Sequence, residues 1–171
     1  MTLAKYKSKR DLKKSGEPKA TIPYSRPRSF NTSSSLAKSL TATSSNKKKT
    51  IFVIHRHEAS HLHWDLRLEI DGVLKSWAIP KEPPTEKGTK RLAIEVEDHP
   101  LDYANFKGTI PEGNYGAGKV EIWDKGDLEI IKKTPREIEF KLSGKKMKGN
   151  FVLIKTKYGA KPEKSWLFFK I

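Results

Sequence analysis

The sequence predicts an all-β protein, a compact antiparallel β-barrel preceded by a mostly flexible basic N-terminal arm, and three observations carry that expectation. The run His63-Trp64-Asp65-Leu66-Arg67-Leu68-Glu69-Ile70 alternates polar and apolar residues without a fault, the period of a strand with one buried face. From Ile51 onward, short stretches rich in strand-forming residues recur between turn signals, and no long helical period interrupts them. Residues 20–49 are instead rich in Ser, Thr and Pro and poor in large apolar side chains, so they cannot bury enough surface to offset the entropy of ordering. The chain therefore divides into an arm and Ser/Thr-rich linker over 1–49, of which 1–19 keep the option of docking, and one barrel domain over 50–171. A β-sandwich is the alternative architecture.

Each element follows from its residues. In the 63–70 run, Trp64, Leu66, Leu68 and Ile70 form the core face, while His63, Asp65, Arg67 and Glu69 share the other. Asp71-Gly72 is a hairpin signal leading into a strand over 73–79, and Pro80 to Gly88 reads as a loop. Residues 91–97 alternate again, with Leu92, Ile94 and Val96 expected inward and Glu95, Glu97 and His99 opposite. Further strands are expected at 118–124, 127–132, 137–142, 149–157 and 165–171, bounded by Lys125-Gly126, Pro135, Gly144 and Gly159.

Charge narrows the partners. The formal net charge is +15, and residues 1–49 hold 13 Lys or Arg against Asp11 and Glu17. A basic arm attracts polyanions through counterion release, so nucleic acid is the first partner expected and an anionic membrane the second. The arm has no amphipathic helix with a Trp, Phe or Leu face, which weighs against the membrane. With no cysteine, disulfides, thiolate nucleophiles and Cys-based zinc sites are excluded. The longest aliphatic or aromatic runs, such as Ile51 to Ile54, are four residues, and the N-terminus lacks the apolar core of a signal peptide. A soluble, cytoplasmic protein is expected.

Four of the five histidines fall within residues 55–63, and Asp65 follows two positions later. Two imidazoles and a carboxylate suit Mn²⁺ or a similar divalent ion with positions left open for phosphate oxygens, and His57, His63 and Asp65 are the first choice of ligands. The plainer reading is a surface cluster that holds nothing, or takes up nickel or zinc adventitiously. Arg67 shares the His63/Asp65 face, where its guanidinium can fork onto two phosphate oxygens or pair with Glu69. His99 and Tyr103 sit beyond a strand end, and an imidazole there can act as acid or as phosphate donor near neutrality. The Gly113-Asn114-Tyr115-Gly116-Ala117-Gly118 stretch lacks the order of a nucleotide-binding loop and reads as tight-turn glycine.

Four blocks in order, His57 to Glu69, Leu74 to Lys81, Arg91 to Tyr103 and Ile110 to Gly118, resemble the 3′-phosphoesterase domain of bacterial DNA ligase D and its free-standing relatives. The resemblance is strong over about residues 51–131 and looser in the C-terminal strands, and Leu3 to Pro18 resembles the family's start. It implies a compact β-barrel and a Mn²⁺-dependent hydrolase. Such an enzyme removes a 3′-terminal ribonucleoside as a phosphodiesterase and then hydrolyses the remaining 3′-phosphate. By position it implies that His57, His63 and Asp65 hold the metal, that Arg67 and His99 contact the phosphate, and that Tyr103 is an active-site tyrosine. Lys81 and Arg91 fall on substrate-supporting positions, and Glu97, Arg10, Asp11 and Glu17 on further supporting ones. Two positions depart from the family: His55 stands where Gln is usual, and His61 where Arg is usual. The sequence holds no ligase or polymerase module, so a separate ligase and polymerase are the expected partners at DNA or RNA-tipped DNA ends. The rival reading is a non-catalytic nucleic-acid-binding repair module with a structural metal, which the basic arm fits equally well.

Overall fold

A computed structural model describes residues 3–19 and 50–171. The linker expected over 20–49 lies outside the described residues. The strand β1 (Thr50–Glu58) pairs antiparallel with β2 (Leu62–Ile70), and β2 with β3 (Val73–Ile79). Between β2 and β3, Asp71 and Gly72 have φ of 54° and 80°, the two positive values that a tight hairpin turn matched to strand twist requires. There follow β4 (Lys90–Glu95), β5 (Gly108–Ile110), β6 (Gly118–Lys133), β7 (Glu137–Ser143), β8 (Lys148–Lys155) and β9 (Ser165–Lys170). The sheet order is β1-β2-β3-β4-β9-β8-β7-β6-β5, and β1 also pairs with β6, so eight strands close into an antiparallel barrel with β5 appended to β6.

The barrel interior is the main core. Trp64, Leu66, Leu68 and Ile70 point into it as their alternation demands, joined by Trp77, Trp166 and the clustered rings of Phe140, Phe151 and Phe168. A second, smaller cluster lies outside the barrel, where Tyr6, Val53, Leu74, Tyr103 and Ala104 pack together. It fixes residues 3–19, including the short helix α1 (Leu3–Ser8), against the outer faces of β1 and β3. Tyr6 is fully buried there, its hydroxyl donating to the Pro18 carbonyl at 2.8 Å, and burying such a ring contributes about 1.5–3 kcal/mol.

Two expectations are corrected. Leu92 and Ile94 do not point into the barrel; Ala93 does, fully buried and paired with Trp166. With Trp166, Trp77 and Phe168 filling that layer, a small side chain fits between them and the larger Leu and Ile turn outward. The break expected at Lys125-Gly126 is absent, since β6 runs on for 16 residues. Gly126 is there because a Cβ would collide with the Ser143 carbonyl of the neighbouring strand, so the glycine permits a close approach rather than a turn. The strand bends instead at Trp123, left unpaired where the β1–β6 register shifts between Ile54 and His55.

Candidate active site

The polar face of β2 lies on the outside of the barrel. Register places His55 opposite Asp65, His57 opposite His63 and Val53 opposite Arg67, while β3 brings Ala78 beside Asp65 and Ser76 beside Arg67. Once β4 ends at Glu95 the chain bends back over this face, held by a two-way backbone pairing of His99 with Leu74 at 2.9 Å in each direction. Glu97, His99 and Tyr103 therefore join the site from beyond the strand end. A pocket of about 290 Å³ opens here, with His57, His63, Asp65, Arg67, His99 and Tyr103 among its walls.

One ligand atom from each of His57, His63 and Asp65 lies within 4.8 Å of the others, the spacing a single ion could draw together. Their tautomers are set by neighbouring carbonyls: His57 Nε2 donates to Gly116 O and His63 Nδ1 to His61 O, each at 2.9 Å. That leaves His57 Nδ1 and His63 Nε2 as lone pairs, 3.7 and 3.8 Å from the Asp65 carboxylate oxygens. Burial works to raise the Asp65 pKa, but Arg67 foremost, with His57 and His63, holds the carboxyl well below its ordinary range, so it is a charged ligand at neutral pH. The donor set fits a divalent ion.

Arg67 is almost wholly buried and held from several sides. Its Nε donates to His55 Nδ1 at 3.2 Å, Nη1 to Ser76 Oγ at 3.0 Å and Nη2 to Asp65 Oδ2 at 3.1 Å, with the Tyr103 ring 4.6 Å from Cζ. Nη1 also faces His99 Nδ1 at 2.9 Å, so Nη2 alone keeps an N–H without a protein partner. His55, fully buried, is kept neutral: desolvation first and then Arg67 lower its pKa to about 3. It stands outside the three-ligand cluster and serves as an acceptor for Arg67. His99 lies between Arg67 Nη1, 2.9 Å from Nδ1, and Arg10 Nη2, 3.2 Å from Nε2. Burial and then the two guanidiniums push its pKa well below 6.5. A neutral ring has one lone pair, so it accepts from only one of the two guanidiniums, and the Glu97 carbonyl 2.9 Å from Nδ1 is a further partner at that end of the ring.

Residues 3–19 supply a wall of the pocket. Arg10 donates to Glu17 at 2.9 Å and Glu97 at 2.8 Å, and its guanidinium packs between the rings of Tyr6 and Tyr115 at 4.4 and 5.0 Å. Tyr103 donates to the same Glu17 oxygen at 3.0 Å, and burial above all raises its pKa, so the phenol stays protonated. Of the other residues singled out from sequence, Asp11, Lys81 and Arg91 do not line the pocket: Asp11 and Lys81 are exposed, and Arg91 Nε donates to the Glu82 carbonyl at 2.8 Å. Ser76, Tyr6, Tyr115 and the Gly116 carbonyl belong to the site and were not singled out. The Gly113 to Gly118 stretch carried the only signal for two of them. Its glycines do serve backbone shape: Gly118, at φ 137°, has no room for a Cβ beside the Glu58 carbonyl.

The Glu97 carboxyl carries a testable consequence. Burial works to raise its pKa, but hydrogen bonds from Arg10 and Lys9 outweigh this and hold it below its ordinary value. Such a group contributes stability that is full above its unfolded value of about 4.3 and lost as pH falls through the lower folded value. Acidification is therefore expected to loosen residues 3–19 before the barrel. Hydrogen exchange corrected for intrinsic rates would read this, and Glu97→Gln should flatten the difference; equal protection of segment and barrel across the acid range would refute it.

Fold and site together define a class, a small closed β-barrel with a two-histidine, one-carboxylate candidate metal centre on its outer wall and an arginine bonded to the same carboxylate. The family model described as the DNA Ligase D 3′-phosphoesterase domain matches residues 55–155, and the chain belongs to that family. Among curated proteins, it is 41% identical over 98% of its length to the multifunctional non-homologous end joining protein LigD of Pseudomonas aeruginosa, and 40% over 96% to that of Mycolicibacterium smegmatis. A 50% identity to the LigD of Mycobacterium tuberculosis covers 61% of this chain. The chain spans only 18%, 20% and 14% of the length of these three relatives. No helix among the described residues is long and apolar enough to cross a membrane.

Proposed function

We propose that this chain is a Mn²⁺-dependent 3′-phosphoesterase that heals the 3′ ends of DNA or RNA-tipped DNA, removing a terminal ribonucleoside and then the 3′-phosphate to leave a 3′-OH. The observation that carries the reading is the Asp65 carboxylate, which joins the His57/His63 ligand cluster on one side and accepts from Arg67 on the other. A phosphate oriented by that arginine would lie beside the ion. His57, His63 and Asp65 would hold the metal, which when bound offsets charge building on phosphate oxygens and favours attack by water. Arg67 turns its uncommitted Nη2 N–H to the phosphate, and its position costs nothing to reorganise because His55, Ser76, His99 and Asp65 already hold the side chain. Neutral His99 adds a hydrogen-bonding group, and Arg10 brings a second guanidinium from the N-terminal segment, placed by Glu17 and Glu97. Tyr103 packs against the Arg67 guanidinium and, through Glu17, ties that segment to the barrel. Lys81 and Arg91, outside the pocket, are left for contacts with substrate beyond the reacting phosphate. The product 3′-OH is what a ligase or polymerase requires, so such enzymes are the expected partners.

The deciding assay incubates the protein and MnCl₂ with a primer-template ending in one 3′-ribonucleotide and resolves shortened 3′-phosphate and 3′-OH products. DNA binding without product in any divalent metal would leave the non-catalytic module. The basic residues of 20–49 are proposed to add affinity only. Replacing Arg26, Arg28, Lys38, Lys47, Lys48 and Lys49 by Gln should lower the salt slope of DNA binding while turnover at saturating substrate persists. An unchanged slope would remove the linker from the interface.

A further inference from the structure

The active-site pocket does not end at Tyr115. A second hollow of about 380 Å³ shares Val96, Glu97 and Tyr115 with it and so runs on from its rim. Lys5 and Lys9 stand on one side of this hollow, from the N-terminal segment, and Lys161 and Lys164 come from the turn preceding β9. We infer that this groove receives the nucleic-acid strand leading to the 3′ end, with Lys161 and Lys164 contacting its sugar-phosphate backbone. The inference rests on the proposed phosphoesterase reading and extends it to the path of the strand.

Charge is the first argument. Four lysines face two carboxylates in the groove, and both carboxylates are already engaged: Glu97 by Arg10 and Lys9, Glu95 by the Trp166 indole N–H at 3.0 Å. Lys5, Lys161 and Lys164 have no carboxylate partner among the described residues, unlike Lys119, Lys132 and Lys133, each paired within 2.7 Å. Unpaired ammonium groups along a groove are the footprint of a polyanion.

The junction is the second. Tyr115 sits where pocket meets groove with 47% of its surface exposed, while Arg10 and Lys9 lie over its ring. A base at the strand terminus can stack on the remaining surface as the backbone turns toward the metal centre, an interaction of about 1–3 kcal/mol that every base can make. Lys161 and Lys164 lie beyond the 55–155 stretch matched by the family model, so the groove's far wall is built from residues outside that match.

The test uses the full chain in EDTA, where binding is read without turnover, on a primer-template with a 3′-ribonucleotide end. The Lys161→Ala/Lys164→Ala variant should bind roughly tenfold more weakly, with a salt slope reduced by about 1.8, the value for two phosphate contacts on a duplex. Lys161→Arg/Lys164→Arg should restore the slope. Lys141→Ala/Lys148→Ala, which removes the same charge from strands that line neither hollow, should leave it unchanged. An unaltered slope in the first variant overturns the groove, as does an equal fall in the control, which would show net charge alone at work. So would a defect confined to phosphatidylserine vesicles. Failure of the hydrolysis reading would appear separately, as wild-type protein that binds ends but yields no product in Mn²⁺.

Discussion

Asp65→Asn is expected to lose Mn²⁺ affinity by on the order of 10²-fold or more, and with it hydrolysis of both 3′-ribonucleoside and 3′-phosphate ends, while the protein stays folded. The amide keeps the shape of the carboxylate and can still accept from Arg67 Nη2, now 3.1 Å away, but it removes the charge that draws a cation between His57 and His63. Asp65→Ala is a poorer test. It would also strand the buried Arg67 guanidinium without its carboxylate, a loss of about 3–5 kcal/mol for a desolvated pair. His63→Ala is the cleaner companion, since that side chain is 24% exposed and its Nδ1 bonds only its own strand's approach at His61. Calorimetric titration with MnCl₂ beside a thermal melt would separate ligand loss from unfolding. Wild-type affinity in either variant would put the metal elsewhere.

Arg67→Lys should keep Mn²⁺ binding within a few-fold and lower the single-turnover rate by on the order of 10²-fold, about 3 kcal/mol of transition-state stabilisation. An ammonium is a point charge with three rotating donors, and it cannot bond His55, Ser76 and Asp65 while presenting a further N–H in a fixed direction. The structure sharpens what the substitution tests, because the arginine's committed donors position the Nη2 N–H that remains. A variant whose defect vanishes at saturating Mn²⁺ would make Arg67 a support for Asp65, and the phosphate contact would then fall to Arg10 or His99.

The strand over 63–70 was legible because one face had to enter a core: slipping the register by one residue would have buried Arg67 and Asp65 in the barrel. The same rule misled at 91–97, where alternation is present but the facing strand brings a Trp to that layer and only Ala93 fits. Such a match depends on residues some seventy positions away, which local pattern does not contain. Gly126 misled for a related reason, since a glycine that opens a turn and one that admits a neighbour's carbonyl look alike in sequence. His57, His63, Asp65 and Arg67 were picked out by histidine spacing and the alternating face, and the resemblance added Arg10, Glu17 and Glu97, whereas the support of Arg67 by His55 and Ser76 was not foreseen. A histidine two positions from a ligand reads as another ligand until its ring is seen bonded to a guanidinium.

Arg10 meets Glu97 across 87 intervening steps of chain, and Glu17 meets Tyr103 across 86. During synthesis, residues 3–19 leave the ribosome before anything they bind exists, and their partners appear only after four barrel strands have been made. Barrel closure waits longer still, for β6 to reach β1. The pocket wall contributed by residues 3–19 thus rests on contacts of long sequence separation, which must offset loop-closure entropy before they hold. A molecule in which this segment has opened would keep its candidate metal ligands on β1 and β2 yet lack Arg10.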